Sequence, residues 1–124
     1  MQSDIEIYLP DTDPQAICQW LRTVFGRAPE PVNSSDRNKV LRYRLAVNGV
    51  IIPLLLVTRG GWTSVWFNSE RTPWATDLDC ARAAVAHLGG RARCTDGGWQ
   101  EGDDPDRFLE VTINGVETVI WQDG

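Results

Sequence analysis

Imidazole is nearly missing from this chain, in which His87 is the single histidine among 124 residues. Sites built from several histidines, or from a serine–histidine pair at known spacing, therefore lack their parts. Cysteine is scarce as well. Cys18, Cys80 and Cys94 are odd in number and show no C-x-x-C spacing, which suits buried thiols in a reducing compartment better than a disulfide framework. Arg91 and Arg93 would lower the pKa of a neighbouring Cys94 thiol, but no second cysteine is placed to resolve an oxidised product. Positive charge is in deficit: 12 basic against 17 acidic residues give a net charge of -5, so no global positive field collects nucleic acid or anionic lipid. Long apolar runs are absent too. Nothing approaches the ~20 residues that cross a bilayer, and Met1 to Pro10 lacks the basic-then-apolar order of a signal peptide. The motifs of phosphate-binding loops, dinucleotide folds, zinc proteases and serine hydrolases do not occur. The expectation is a cytoplasmic protein with no nucleic-acid or membrane partner.

What is present reads as one globular domain over residues 1–124, with 42% hydrophobic and 23% charged residues. Ile5, Ile7 and Leu9 alternate with Glu6 and Tyr8, predicting a strand that ends at Pro10. Asp13 offers an N-cap and Pro14 fills the first helical position. Ile17, Trp20, Leu21, Val24 and Phe25 then recur at helical spacing until Gly26. Ala28 to Lys39 predicts a short extended piece and an exposed loop. Val40–Val47 and Val50–Val57 flank Asn48-Gly49, a hairpin signal, because both residues tolerate the positive φ of a type I′ turn. The run Val50–Val57 has no polar face, which predicts cover on both sides, and Pro53 within it predicts an edge or a bulge. Gly60-Gly61 breaks that run before a strand from Trp62 to Asn68. Thr76 and Asp79 are spaced as a capping box for a helix carrying Leu78, Ala81, Val85 and Leu88, which stops at Gly89-Gly90. His87 belongs to its last turn, where it favours the helix dipole. Arg91–Cys94 predicts a short strand and Thr95–Asp106 a loop. Phe108–Ile113 and Val116–Trp121 form a second hairpin around Asn114-Gly115.

The order strand, helix, extended piece, hairpin thus occurs twice. Leu45-Ala46-Val47-Asn48-Gly49-Val50 matches Val111-Thr112-Ile113-Asn114-Gly115-Val116 at an offset of 66, and Gly26-Arg27-Ala28 matches Gly90-Arg91-Ala92 at an offset of 64. This predicts internal repeats over 1–61 and 62–124. A doubled βαβββ unit, with the segment from Ala16 to Gly26 running an aromatic helix face into Phe25-Gly26, resembles the vicinal oxygen chelate superfamily of glyoxalases, bleomycin-resistance proteins and extradiol dioxygenases. The resemblance implies an α+β fold of duplicated βαβββ units, with curved mixed sheets and one helix per unit, around a cup. A ferredoxin-like βαββαβ core with an added hairpin fits the same element order, and it would put both helices on one face of a single sheet with no cup. Metal-dependent members of the superfamily use His, Gln and Glu from inward strand positions. Here no predicted strand holds a histidine, and Glu6 and Glu117 are the acidic residues near the expected places. No metal and no cofactor is therefore expected.

Six tryptophans are the largest departure from average composition. Trp20 lies on the apolar helix face. Trp62, Trp66, Trp74, Trp99 and Trp121 fall on strands or loops, where they either line a pocket or fill the core. The segment Asn68 to Asp77 precedes a helix whose first N–H groups can receive an anion, with Arg71 as clamp and Trp74 as stacking platform; Asp77 and Asp79 oppose that role, and a plain capping loop is the alternative. Arg42 and Arg44 share a strand face, as edge protection, cross-strand pairing or anion recognition. The site expected from sequence is Trp62, Trp66, Arg71, Trp74, Trp99 and Trp121, binding a small molecule without metal or catalysis. The competing expectation is an interaction module or homodimer joined through an open sheet face or edge. A metal-dependent lyase or dioxygenase ranks last.

Overall fold

The computed structural model describes residues 4–32, 40–95 and 106–121. Among these the chain forms β1 (Ile5–Pro10), α1 (Pro14–Phe25), β2 (Glu30–Pro31), β3 (Val40–Val47), β4 (Val50–Arg59), β5 (Trp62–Phe67), α2 (Asp77–Leu88), β6 (Arg91–Thr95), β7 (Arg107–Thr112) and β8 (Gly115–Ile120). The capping chemistry is as the residue types dictate. Asp13 accepts from the Gln15 N–H at 2.9 Å, and Gly26, at φ 81°, returns its N–H to the Arg22 carbonyl. Thr76 Oγ1 accepts from the Asp79 N–H at 3.1 Å at the start of α2.

All eight strands belong to one open sheet in the order β2-β3-β4-β5-β1-β6-β7-β8, and every neighbouring pair is antiparallel. The fold is therefore α+β with a single antiparallel sheet, in place of two curved mixed sheets around a cup. The β-α-β-β-β order does recur in the two halves. The strands after each helix nevertheless join the central β5–β1 pair by opposite ends, since β4 is the last of its run and β6 the first of its own. Strands β5 and β6 point the same way with β1 reversed between them, a split βαβ arrangement.

Period-two alternation decides what is inside. Ile5, Ile7 and Leu9 of β1, Val65 and Phe67 of β5, Ile52, Leu54 and Leu56 of β4, and Ala92 and Cys94 of β6 are buried in one cluster with Ile17, Trp20 and Leu21 of α1 and Cys80, Ala81, Ala84 and Val85 of α2. Both helices thus cover the same face. Trp74, from the loop before α2, completes this layer: its ring stacks on Trp20 at 5.6 Å and meets Phe67 at 5.2 Å and Phe25 at 5.9 Å. Cys94 is fully buried in this layer, whereas Arg91 and Arg93, three and one residues before it on β6, belong to the other face, so Cys94 is a packed core thiol and not an exposed nucleophile.

Three local expectations are corrected. The apolar run of β4 is covered on one side only: Ile52, Leu54 and Leu56 are buried, while Ile51 is 56% exposed and Leu55 and Val57 are half-buried on the face without helices. Pro53 lies on β4, a strand between β3 and β5, without a bulge, and itself pairs with Arg44 of β3 just past the end of β5. Its carbonyl accepts from the Asn68 N–H at 3.0 Å, and a strand residue turns its nitrogen to the same side as its carbonyl, so the missing donor faces the point where β5 has ended. The second Asn-Gly is not a copy of the first. Asn48 and Gly49 both hold positive φ between Val47 and Val50, as a type I′ turn requires, whereas Thr112 closes on Gly115 and leaves Ile113 and Asn114 at the tip, with Ile113 90% exposed. No helix among the described residues is long and apolar enough to cross a membrane.

Candidate functional site

Alternation that buries one side of each strand raises the other side into the open, and on this sheet the open side is rich in rings and charges. Register brings them together. Val57 of β4 pairs with Ser64 of β5, Ser64 with Tyr8 of β1, Tyr8 with Arg93 of β6, and Arg93 with Glu110 of β7, which makes one cross-strand row. Trp62, paired with Arg59 and Pro10, lies one step along this face, and Glu6, paired with Trp66, one step the other way.

Trp121, just after β8, is held by its N–H on the Asp106 carbonyl at 2.8 Å. Its ring reaches across the face, with centroids 4.8 Å from Trp62, 5.2 Å from Tyr8 and 5.1 Å from Phe108. The Arg93 guanidinium carbon lies 4.6 Å from the Trp62 ring centre and 5.0 Å from that of Trp121, and Arg91 approaches Trp62 at 5.3 Å. Both arginines converge on Glu110: Arg93 Nε donates to Oε1 at 3.0 Å, and Arg91 stands at 3.6 Å. The cations therefore meet ring faces and a carboxylate together, which fixes the orientation of two flat indoles.

Glu6, Tyr8, Val57, Arg59, Trp62, Ser64 and Trp121 surround a concavity of about 250 Å³. Inside it Ser64 Oγ donates to Glu6 Oε2 at 2.6 Å. Burial, together with the charge of Glu6 and a hydrogen bond to it, pushes the Tyr8 hydroxyl from the ordinary 10 up to about 12. Beneath the rim, Asp77 of α2 inserts its carboxylate between β1 and β6. It accepts from the Glu6 N–H at 3.1 Å and from Thr95 Oγ1 at 3.3 Å. Burial raises the Asp77 pKa against the lowering effect of those two donors. This wedge stands where ladder hydrogen bonds would otherwise join the strands, and the described β1–β6 pairing is the single Tyr8–Arg93 bridge.

Of the residues expected from sequence, the structure brings Trp62 and Trp121 together at one concavity. Trp66 shares their face, but its Nε1 donates to Asp4 Oδ2 at 2.7 Å and its ring lies outside the lining. Trp74 packs from the other side of the sheet against Trp20, so it is no free stacking platform. Arg71 stays exposed in the loop after β5, with its backbone N–H on Ser69 Oγ at 3.0 Å. Trp99 and the loop around it lie outside the described residues. Arg44 faces Glu30 of β2 at 3.6 Å, an exposed cross-strand pair, which takes up one of the two strand arginines. Sequence reasoning passed over Tyr8, Val57, Arg59, Ser64, Arg93 and Glu110. Their signal was the polar phase of the alternation, which marks a face without saying which strands are neighbours.

Chemically the arrangement offers apolar walls, one carboxylate acceptor and one guanidinium donor. The Ser64 hydroxyl is tied to a carboxylate with no imidazole beside it, because His87 is on α2. Among the described residues no group of three or more His, Cys, Asp or Glu side chains could hold a metal ion. Compared with known proteins, the chain matches no family model, no curated protein and no solved structure.

Proposed function

We infer that the chain binds a small planar ligand on the open face of its sheet, against Trp62 and Trp121, without a metal ion. The observation that carries this is the concavity of about 250 Å³ whose two indoles are held in place by Arg93 while Glu6, Ser64 and Arg59 offer polar contacts at its edge. A site of this size lies just below the usual range of ~300–1,000 Å³ for small-molecule pockets, so it suits a ligand of one or two fused rings. A hydrogen-bond donor on the ring would meet Glu6, and an acceptor would meet Arg59. One carboxylate, a serine and a phenol are a poor donor set for a transition metal, which supports metal-independent binding. The lining offers recognition and no nucleophile–base pair, which favours a binding protein over an enzyme.

The repeated β-α-β-β-β order supports a duplicated origin for the two halves. A relationship to the vicinal oxygen chelate superfamily would then be one of descent, with the two-sheet cup replaced by a single open face. Three cysteine thiols, two of them buried, suit a cytoplasmic setting.

Ligand titration followed by tryptophan fluorescence and by calorimetry tests the reading, using planar aromatic compounds that carry amine, hydroxyl or carboxyl groups. Saturable binding that survives chelator, weakens about tenfold or more in Trp62→Ala or Trp121→Ala, and persists in Trp74→Phe is the expected result. Binding that ignores both open-face substitutions overturns it.

A further inference from the structure

The two edges of the sheet are built differently. At one edge β2 is two residues long and ends in Pro31, a blunted edge that offers little to another strand. At the other edge β8 runs six residues, Gly-Val-Glu-Thr-Val-Ile, with no Pro, Lys or Arg and with unbroken register against β7. Among the described residues Glu117 is the one edge-protecting device on this strand, and no bulge, helix or loop covers it.

The hydrogen-bonding phase of β8 follows from one contact. The Trp121 N–H reaches the Asp106 carbonyl of the β7 side, so the residues in step with Trp121, namely Val119, Glu117 and Gly115, turn their N–H and C=O groups inward to β7. Val116, Thr118 and Ile120 turn theirs outward. Their side chains project on the helix-bearing side, where α2 stops short of β8: Val116 is 36% and Ile120 54% exposed. What fits here is another extended strand with outward groups in the same rhythm and apolar residues on the same side.

We propose that this strand is β8 of a second copy of the chain, paired antiparallel about a two-fold axis through Thr118. In that register Thr118 faces the partner's Thr118, Val116 faces the partner's Ile120, and Ile120 faces the partner's Val116. Every outward N–H and C=O of the three residues then finds its complement. Glu117 stands opposite the partner's Val119, which keeps the two carboxylates apart. The neighbouring two-fold registers are worse. Centring on Glu117 sets like charges face to face and leaves Ile120 beyond the other strand's outward groups, and centring on Val119 does the same to Val116. The edge is thus self-complementary in hydrogen bonding, in apolar side chains and in charge, in the isologous manner of a symmetric dimer. A six-residue strand contact is small, so the dimer dissociates on dilution.

The test uses the purified full chain. Sedimentation velocity over a dilution series is expected to show the mass fall from dimer to monomer. Thr118→Cys is expected to form a covalent dimer on mild oxidation, because directly opposed residues of a hydrogen-bonded pair have Cα atoms ~5.5 Å apart, inside the disulfide range of ~4.4–6.8 Å. Val116→Cys and Ile120→Cys are each expected to stay uncrosslinked alone, since the two copies of either residue lie four residue rises, ~13 Å, apart, and to crosslink when mixed. The wild-type chain controls for Cys18. Thr118→Pro removes only an outward donor, so it is expected to give a folded monomer by sedimentation and circular dichroism, and Thr118→Lys provides the same readout without a proline. A wild-type chain that is monomeric throughout overturns the proposal, as it would if the edge takes a strand from a different protein. Self-crosslinking of Val116→Cys, or a dimer that persists in both Thr118 variants, overturns it as well.

Discussion

Two groups of aromatic rings sit on opposite sides of the same sheet, and their surroundings differ more than their composition does. Trp20 and Phe67 are buried beneath α1, with Phe25 and Trp74 half-buried against them, and among the described residues no cation lies over these four rings. Tyr8, Trp62, Phe108 and Trp121 stand half-buried on the open side, held by two arginines, a glutamate and one another. The first group is anchored by two rings that have left water, Trp20 and Phe67. The second keeps one side in water and is oriented by electrostatics, which is the arrangement a binding surface needs.

Truncation separates the two most sharply. Trp20→Ala is expected to cost about 3–5 kcal/mol in urea unfolding, through a cavity beneath α1 that the sheet cannot fill. Trp62→Ala removes a half-buried ring and its cation contacts and is expected to cost about 1–2 kcal/mol. Equal losses would erase the distinction between the groups.

A smaller effect probes the charges. Arg93 and Glu110 have only 15% and 16% of their side chains exposed, so Arg93→Met leaves Glu110 with the more distant Arg91 alone. The expected loss is about 1–3 kcal/mol, and it should shrink when Glu110→Gln is added, because the stranded carboxylate is then gone. Additive losses in this double-mutant cycle would mean that the pair does not hold the indoles.

Proton linkage gives the finest contrast. Tyr8, with its hydroxyl raised from the ordinary 10 to about 12, binds its proton more tightly folded than unfolded. Its contribution to stability is therefore complete below pH ~10 and is lost as pH rises through about 12. Tyr43 is also raised by burial, so the difference between wild type and Tyr8→Phe isolates the open face. That difference is expected to decline between the two pH values, while Trp74→Phe shifts stability equally at both. A flat difference would place the Tyr8 hydroxyl in free solvent.

Local chemistry was legible in the sequence wherever a short stretch decides its own conformation. Asp13, Pro14 and Gly26 bound the first helix, Thr76 and Asp79 start the second, and Asn48-Gly49 makes its turn, because each depends on neighbours within a few residues. The alternation of Ile5, Ile7 and Leu9 with Glu6 and Tyr8 gave the two faces of β1. Strand neighbours did not follow, since nothing local says that β1 lies between β5 and β6, and the assembly of Tyr8, Ser64 and Arg93 is a product of those pairings. Trp74 shows the same limit: its position between Pro73 and Thr76 suggested a loop platform, and only the approach of α1 turns it into core. Pro53 misled because a missing donor speaks of the strand's edge, whereas here it speaks of where the adjacent strand stops.

Placing β1 between β5 and β6 also sets an order of events in synthesis. The strand is made well before either neighbour, so Ile5 waits for Phe67 and Tyr8 for Arg93. Until both arrive, the apolar side of β1 and both its hydrogen-bonding edges have no native partner, and the helix that follows has no sheet to lie on. Such long-range closure slows folding and exposes the growing chain to mispairing. Fragments ending before Arg91 lack one flank of β1, which gains its second neighbour only once β6 has been made.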